Sequence, residues 1–544
     1  MNVGKNGWLG VAVAAGVIWV GGSCVSYDVT RANTYIGPSK PVATRAVASP
    51  ASRPGVSVPA VTADGTIRVD VYAAIVMALN NNRELAVEKY TPPIVQTFEA
   101  QELGAFDPVL SGRVVAGHTT ARQGVIGGSN VNSTSGAMEA TLTEFLPTGT
   151  RVGVGVSATA GRDRYAGGQN SARIGLTATQ ALMRGYGLDV NLASLRQARL
   201  DTLSSEYELR GFAQAVVART EQAYWDYVEA QRQVAIVERS WQLAKDQLSQ
   251  TDERIRVGRL GETERAAAEA EVAVQELARI EARSAVDRTR VVLLRLLNPP
   301  GPNALGRVLE IQIGPQAIGK AADAKIDPLE EHLALAQRMR PDLNQARLLV
   351  SRNELEIVKT RNGLLPRLDL FVTLGKSGYA DSFGEAASGV ATRGDFDAAV
   401  GVSGEIPLGN RAARAQLDRS VLNMDMSRQA VANLSQLVET DVRLGYIELV
   451  RAREQLIAAG ANRRLQAEKE RAEQEKFLAQ RSTSLQVALV QRDRLAAEII
   501  ETRAGTSYLK AFVELYRLEG SLLERRGIVA PGREPVENSN RPPR

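Results

Sequence analysis

The longest regular pattern in the chain runs from Asp189 to Asn298. Apolar or small residues recur there at three- and four-residue steps: Leu209, Phe212, Val216, Thr220, Ala223 and Tyr227, then Val234, Val237 and Trp241. That spacing predicts helix with one narrow buried seam. No proline interrupts the stretch, and the chain folds back at Arg256-Val-Gly-Arg-Leu-Gly261. At 1.5 Å per residue, the arm from Asp189 to Val257 is on the order of 100 Å long. A globular domain has no room for such an arm. It belongs to a coiled coil, or it lines something long.

Upstream the period changes from 3.6 to 2. A helical opening at Val71–Asn82 continues with interruptions toward Leu103, and Pro92-Pro93 must break or kink it because proline lacks the helix donor. Then Leu110, Gly112, Val114 and Ala116 alternate with Ser111, Arg113 and Val115. Met138, Ala140 and Leu142 do the same, as do Val152, Val154 and Val156, and Ile174, Leu176 and Ala178. Pro147-Thr-Gly149 is a tight turn, and Thr119–Gly136 and Ala160–Asn170 read as Gly/Ser/Asn-rich loops. One face of these strands is lightly apolar, and the other is Gly, Ser, Thr and charge. Repeated strands of this kind, with long loops on one side, carry the pattern of an outer-membrane barrel.

Both patterns occur twice. Ala223-Tyr224 with Glu229-Ala230 matches Gly445-Tyr446 with Arg451-Ala452 at an offset of 222 (446 − 224), and the same offset carries Arg259 onto Arg481. A second offset, 258 (343 − 85), relates Ala78, Glu84, Leu85 and Pro108 to Ala336, Asp342, Leu343 and Pro366. In the second copy Leu368, Leu370, Val372 and Leu374 share a strand face, a Gly/Ser/Ala loop runs from Lys376 to Gly394, and Phe396, Ala398, Val400 and Val402 share the next. The repeats organise the chain. The expected layout is repeat one over 67–298, with strands at about 108–182 and a helical hairpin at 189–298. A linker follows at 299–326, with one candidate strand, Val308–Ile313. Repeat two covers 327–525, with strands at about 366–408 and a hairpin at 410–525. The Pro/Asn/Arg-rich tail, 526–544, is expected to be disordered.

Composition narrows the chemistry. Hydrophobic residues make up 44% of the 544, but aromatic ones only 5%, too few for large globular cores. The net charge of +5 is spread along the chain with no block of like charge, so no nucleic-acid partner is expected. One Cys and two distant His, His118 and His332, leave no metal cluster, no nucleophile pair and no cofactor site to propose. The expectation is a protein that is not an enzyme. Residues 1–23 read as a signal peptide, with Lys5 ahead of an apolar core from Trp8 to Val20. Val20-Gly-Gly-Ser-Cys24 resembles a bacterial lipobox, with Gly21 where Leu is usual, and makes Cys24 a candidate lipidation site. Residues 24–66, rich in Pro, Ala, Ser, Thr and Val, then form an extended lipid-anchored tether.

Taken in order, these features resemble the TolC-type outer-membrane factor family over about residues 67 to 525. Gln180-Ala-Leu-Met-Arg-Gly-Tyr-Gly187 resembles that family's first strand-to-helix junction, Ile406-Pro-Leu-Gly-Asn-Arg411 the second, and Val257-Gly-Arg-Leu-Gly261 a hairpin tip. The resemblance implies a mixed α/β membrane protein: a homotrimer whose strands share one outer-membrane β-barrel, continued across the periplasm by a long α-helical barrel. Members usually contribute four strands each, twelve per trimer. Four dyad strands in repeat one leave twelve or eighteen open here. The family function is an exit duct for efflux or type I secretion, loaded by an inner-membrane transporter through a periplasmic membrane-fusion adaptor. The adaptor would meet the tips, Val257, Gly258, Arg259, Leu260 and Gly261 in one hairpin and Gln480, Arg481, Ser482 and Thr483 in the other. Glu264 and Gln486 fall where acids often gate the aperture, and Gln486, with Leu489 one turn on, departs from that pattern. The competing reading is a secreted coiled-coil structural or adhesive protein, against which the mirrored pairs of dyad strands argue.

Overall fold

A computed structural model describes residues 67–122, 130–163, 167–258, 261–301, 304–306, 308–311, 326–392, 395–479 and 481–536. All of them lie in one compact unit, Ala46–Arg544. The signal peptide, Cys24, the tether, Arg259, Leu260, Gln480 and residues 537–544 therefore lie outside the described residues.

The chain opens with β1 (Ile67–Val69) and a broken helix, α1 (Val71–Asn81), α2 (Arg83–Glu88) and α3 (Thr91–Leu103). Local capping sets the first breaks. Asp70 Oδ1 accepts from the Ala73 N–H at 2.7 Å, and Asn82 Oδ1 from the Leu85 N–H at 3.0 Å, so each short helix starts on its own acceptor. Pro92 and Pro93 sit in the first turn of α3, where their missing N–H groups cost nothing, and so start a helix rather than kink one. Four strands follow: β2 (Val109–Arg122), β3 (Asn130–Phe145), β4 (Thr150–Asp163) and β5 (Gly167–Ala181). A short turn of helix, α4 (Leu188–Asn191), leads into the first hairpin, α5 (Ala193–Arg256) and α6 (Thr263–Leu297). At 64 residues, α5 is about 96 Å long.

The second half is built the same way: α7 (Leu329–Met339), α8 (Pro341–Gly363), β7 (Arg367–Ala380), β8 (Phe396–Glu405), then α10 (Arg411–Leu478) and α11 (Ser484–Leu518). Burial follows the repeat. Ala78 and Ala336 are both fully buried, as are Leu85 and Leu343, while Pro108 and Pro366 each precede a strand. The seam is where the periodicity puts it, with Leu209, Val216, Thr220, Ala223, Tyr227 and Val237 all buried. Tyr224 lies in the core of the first repeat and Tyr446 packs against that of the second. Burial pushes the Tyr224 phenol well above its ordinary range. The long helices pack side by side in the order α6, α5, α11, α10.

Three expectations need correction, while the strand expected in the linker is present. The loops Thr119–Gly136 and Ala160–Asn170 are mostly strand: β2 pairs with β3 from Val109 opposite Thr143 out to Arg122 opposite Asn130, and β4 with β5 out to Asp163 opposite Gly167. Main-chain pairing does not need apolar side chains, so the ladders run on through the polar stretch. The Gly/Ser/Ala loop of repeat two holds the end of β7 and a helix, α9 (Phe383–Thr392). Its small residues read as loop, but Ala386 and Gly389 are buried where α9 lies close against Gly378. The strand expected at Val308–Ile313 is β6 (Leu309–Ile311), and it pairs in parallel with β1.

The third correction is the tail. Beyond the short helix α12 (Leu522–Arg525), Ile528 and Ala530 are buried in the core of the first repeat. The segment is fastened along its length. The fully buried Arg210 meets Glu524, the Gln214 amide donates to the Gly520 carbonyl at 2.6 Å, and Arg526 forms two bonds with the buried Glu221. The Tyr207 hydroxyl donates to the Glu534 carbonyl, and the Val536 N–H to Asn344 Oδ1 at 3.1 Å. Composition marks this segment as disordered, whereas partners some 300 residues away order it up to Val536.

Candidate functional site: hairpin tips, sheet faces and open edges

The two tips turn by different means. At the first, Gly258 takes φ +73°, and its N–H donates to the Ile255 carbonyl at 2.9 Å, ending α5 with a left-handed residue. Gly261 has no such φ, so its lack of a side chain is not required by backbone conformation. At the second, polar caps close the turn. Thr483 Oγ1 accepts from the Gln486 N–H at 3.2 Å, and the Arg481 N–H donates to the Lys476 carbonyl at 2.8 Å. The Ser482 hydroxyl donates to Glu473, and this bond, with Lys476 beside it, holds the Glu473 carboxyl below its usual range.

The tips also touch each other. The Arg254 guanidinium lies 4.8 Å over the Phe477 ring, joining the end of α5 to the end of α10. Between the four helices is a cavity of about 400 Å³, lined by Leu243, Gln247, Arg254, Glu264, Phe477 and Val487 among others. Glu264 thus stands beside Arg254 and Phe477, which the sequence reading did not single out. Gln486 is exposed on the first turn of α11 and does not line the cavity. Val257, Arg481 and Thr483 are exposed, and Ser482 is half-buried under its bond to Glu473. Sequence could have flagged Phe477, an aromatic in a charged run next to a turn, but not its partner.

The strands form one six-stranded antiparallel sheet in the order β2, β3, β4, β5, β7, β8. One face is mainly apolar. Leu110 lies opposite Leu142, Leu142 opposite Val154, then Leu176, Leu374 and Ala398 across the remaining strands. Nearly all of these side chains are exposed. The other face is small and polar. Arg113 lies opposite Glu139, and Arg173 is paired with Asp397 over Gly375, two couples of opposite sign. Apolar outside and polar inside is the arrangement a membrane barrel needs.

Both layers end in open edges. Among the described residues, strands β2 and β8 each pair with one strand and have one bare side. The outermost helices carry apolar residues that nothing covers: Val274, Leu277, Ile280 and Val292 on α6, and Leu422, Met426, Leu444 and Ile447 on α10, all more than half exposed. An uncovered apolar row on each flank is the kind of surface that a protein partner buries. Among the described residues no group of side chains could hold a metal ion, and no helix is long and apolar enough to cross a membrane.

No family model matches the sequence, and no curated protein does. Solved structures do. The chain superposes with a TM-score of 0.61 on the CmeC outer membrane channel of Campylobacter jejuni, at 16% identity, covering 83% of this chain and 86% of that one. The open-state MtrE outer membrane channel of Neisseria gonorrhoeae gives 0.57 at 18% identity, over 83% and 89%. The outer membrane protein VceC of Vibrio cholerae gives 0.59 at 13% identity, over 83% and 96%. The likeness establishes that the chain has the fold of these channels.

Proposed function

We propose that the chain is the outer-membrane exit duct of a tripartite efflux or type I secretion system. It would work as a homotrimer, with its sheet in the outer membrane and its long helices in the periplasm. The observation that carries this reading is the coincidence of open edges at both levels. The sheet cannot sit in lipid with bare strand edges, and closing β8 of one copy on β2 of the next removes them. The same closure lays the α10 row of one copy against the α6 row of the next. Cys24 would hold a lipid at the end of the tether.

The tips, Val257 to Gly261 and Gln480 to Thr483, would receive the periplasmic adaptor, with Glu264 and Gln486 on the first helical turns behind them. Their openness supports this role. A Cβ built at Gly258 meets no atom within 4 Å. Gly258→Val therefore strains only the turn, by about 1–2 kcal/mol. Trimers and membrane insertion should survive the substitution while efflux is lost. Wild-type efflux in Gly258→Val would refute the assignment of this tip.

The function is tested by fractionation and crosslinking. SDS-resistant trimers in the outer-membrane fraction, with tip cysteines that crosslink to a periplasmic protein identified by mass spectrometry, are the expected result. A soluble filament with no membrane association would overturn it in favour of a structural coiled coil.

A further inference from the structure

The hairpin of β3 and β4 is not needed to connect the repeats. Without it, β2 would pair antiparallel with β5, and each copy would supply four strands. We propose that β3 and β4 are full spanning staves, so that six strands from each of three copies close an eighteen-stranded barrel. The mouth of the duct is then about one and a half times as wide as twelve strands would make it, because barrel diameter grows roughly linearly with strand number. This inference rests on the trimeric duct reading above.

Three independent features carry it. The first is register. β3 and β4 are paired on both sides along nearly their whole length, from Phe145 opposite Arg151 to Ser133 opposite Asp163, with no break from the rest of the sheet. The second is the apolar face. Met138, Leu142, Val154 and Val156 are 45–51% exposed, against 42–46% for Ile174, Leu176 and Leu374 on the neighbouring strands. A hairpin folded against a finished barrel would cover that face or turn it away. This one presents it in line with the others. Among the side chains described on this face, the charged ones, Glu144 and Lys376, lie toward opposite ends, one residue from the end of β3 and four from the end of β7. There a carboxylate costs little and a lysine can extend to water.

The third is how far the hairpin reaches. Its turn is fastened to the start of the helices. The Asn191 amide donates to the Pro147 carbonyl at 3.0 Å, the Ala181 N–H to the Gly149 carbonyl at 3.1 Å, and the Gly187 N–H to the Thr148 carbonyl at 3.3 Å. The other ends of β3 and β4 reach the far loops level with β2 and β5. The pair therefore crosses the whole sheet. Six is also an even number, so β2 and β8 run in opposite directions, and copies join edge to edge with the antiparallel pattern unbroken. The side chains at those edges are the most exposed of the face, Val114 at 78% and Phe396 at 77%, as expected where the next copy is missing. On the inner face β4 brings Gly153, Gly155 and Ser157, opposite Thr143, Thr141 and Glu139 of β3, mostly small side chains that narrow the lumen little. Size selection then falls to the helices, not to the membrane segment.

The test uses purified full-length trimers in planar bilayers, with polyethylene glycols of graded size added from one side at a time. Deleting residues 130–163 should lower the largest polymer that enters from the outer side by about one third in radius. The cut-off from the tip side should not move. An unchanged outer cut-off overturns the eighteen-strand barrel while leaving the duct intact. Failure of the full-length protein to form any pore overturns the duct reading and this inference with it. Should the deleted chain not assemble, the full-length protein with Cys24→Ser and Thr148→Cys decides. Labelling by an impermeant thiol reagent only after the periplasm is opened is expected, and labelling of intact cells overturns the spanning hairpin.

Discussion

Gly149→Val is expected to abolish assembly of the barrel. Gly149 and Gly258 both adopt positive φ, +87° and +73°, but their surroundings differ. A Cβ at Gly149 would stand 2.2 Å from the Gly185 carbonyl oxygen and 3.3 Å from its carbon. Backbone cannot yield as the end of a flexible side chain can. The turn would have to lift off the junction, giving up the bonds to Asn191, Ala181 and Gly187, each worth about 0.5–1.5 kcal/mol. Backbone strain adds about 1–2 kcal/mol. The sum is on the order of 3–6 kcal/mol, placed where the hairpin must be held against the helices. Assembled trimer in the outer-membrane fraction should fall to trace levels, whereas Gly258→Val, with open space around it, should assemble normally. Equal trimer yields from the two variants would show that the junction does not depend on this turn.

The second large effect is expected from Glu524→Ala. The Arg210 side chain is fully buried, and among the described residues Glu524 is its hydrogen-bonded partner. Its Nε and Nη1 already lack partners. Removing the carboxylate leaves a guanidinium charge buried without compensation, at a cost of about 3–5 kcal/mol. Arg210→Met should cost much less, because it removes the charge and keeps volume, while Glu524, 22% exposed, can turn to water. The loss should appear as local opening. Hydrogen exchange over 522–536 should speed up by a factor on the order of 100 to 1,000 in Glu524→Ala, with far less change in Arg210→Met. Similar exchange in both variants would mean that the ion pair, not the stranded charge, sets the stability of the segment.

What was legible in the chain was periodic. The seam from Leu209 to Trp241 and the alternation around Val154 and Leu176 each repeat a local geometric rule over many residues, so the long helices and the strand faces could be read directly. The offset of 222 located the turn near Arg481 from that near Arg259, because a repeat transfers position without needing contacts. Failures came where order is supplied from far away. Ile528 and Ala530 sit in a Pro- and Arg-rich stretch, and nothing near them reveals that Glu221, Gln214 and Tyr207 hold it. The helix Phe383–Thr392 looks like loop because Gly and Ala are common to both, and only the close surface at Gly378 distinguishes them. At the tips, the reading placed the turns but not the contact of Arg254 with Phe477, which joins residues from different repeats.

The fastened tail has a consequence for the order in which the protein is made. The core of the first repeat contains Ile67, Ile75 and Leu85 from its beginning, and Val513, Leu522, Leu523 and Ile528 from near the end of the chain. A ribosome delivers the first set more than 400 residues before the last. Until then the early half has an apolar cleft that nothing in it can fill, and contacts this distant in sequence form slowly. A chain that lacks Val513 to Ala530 cannot complete the core of its first repeat. A chain stopped before Leu522 should stay sensitive to protease over residues 67–300, although every helix and strand of that half is present. By this arrangement the core of the first repeat is completed only by the segment from Val513 to Ala530.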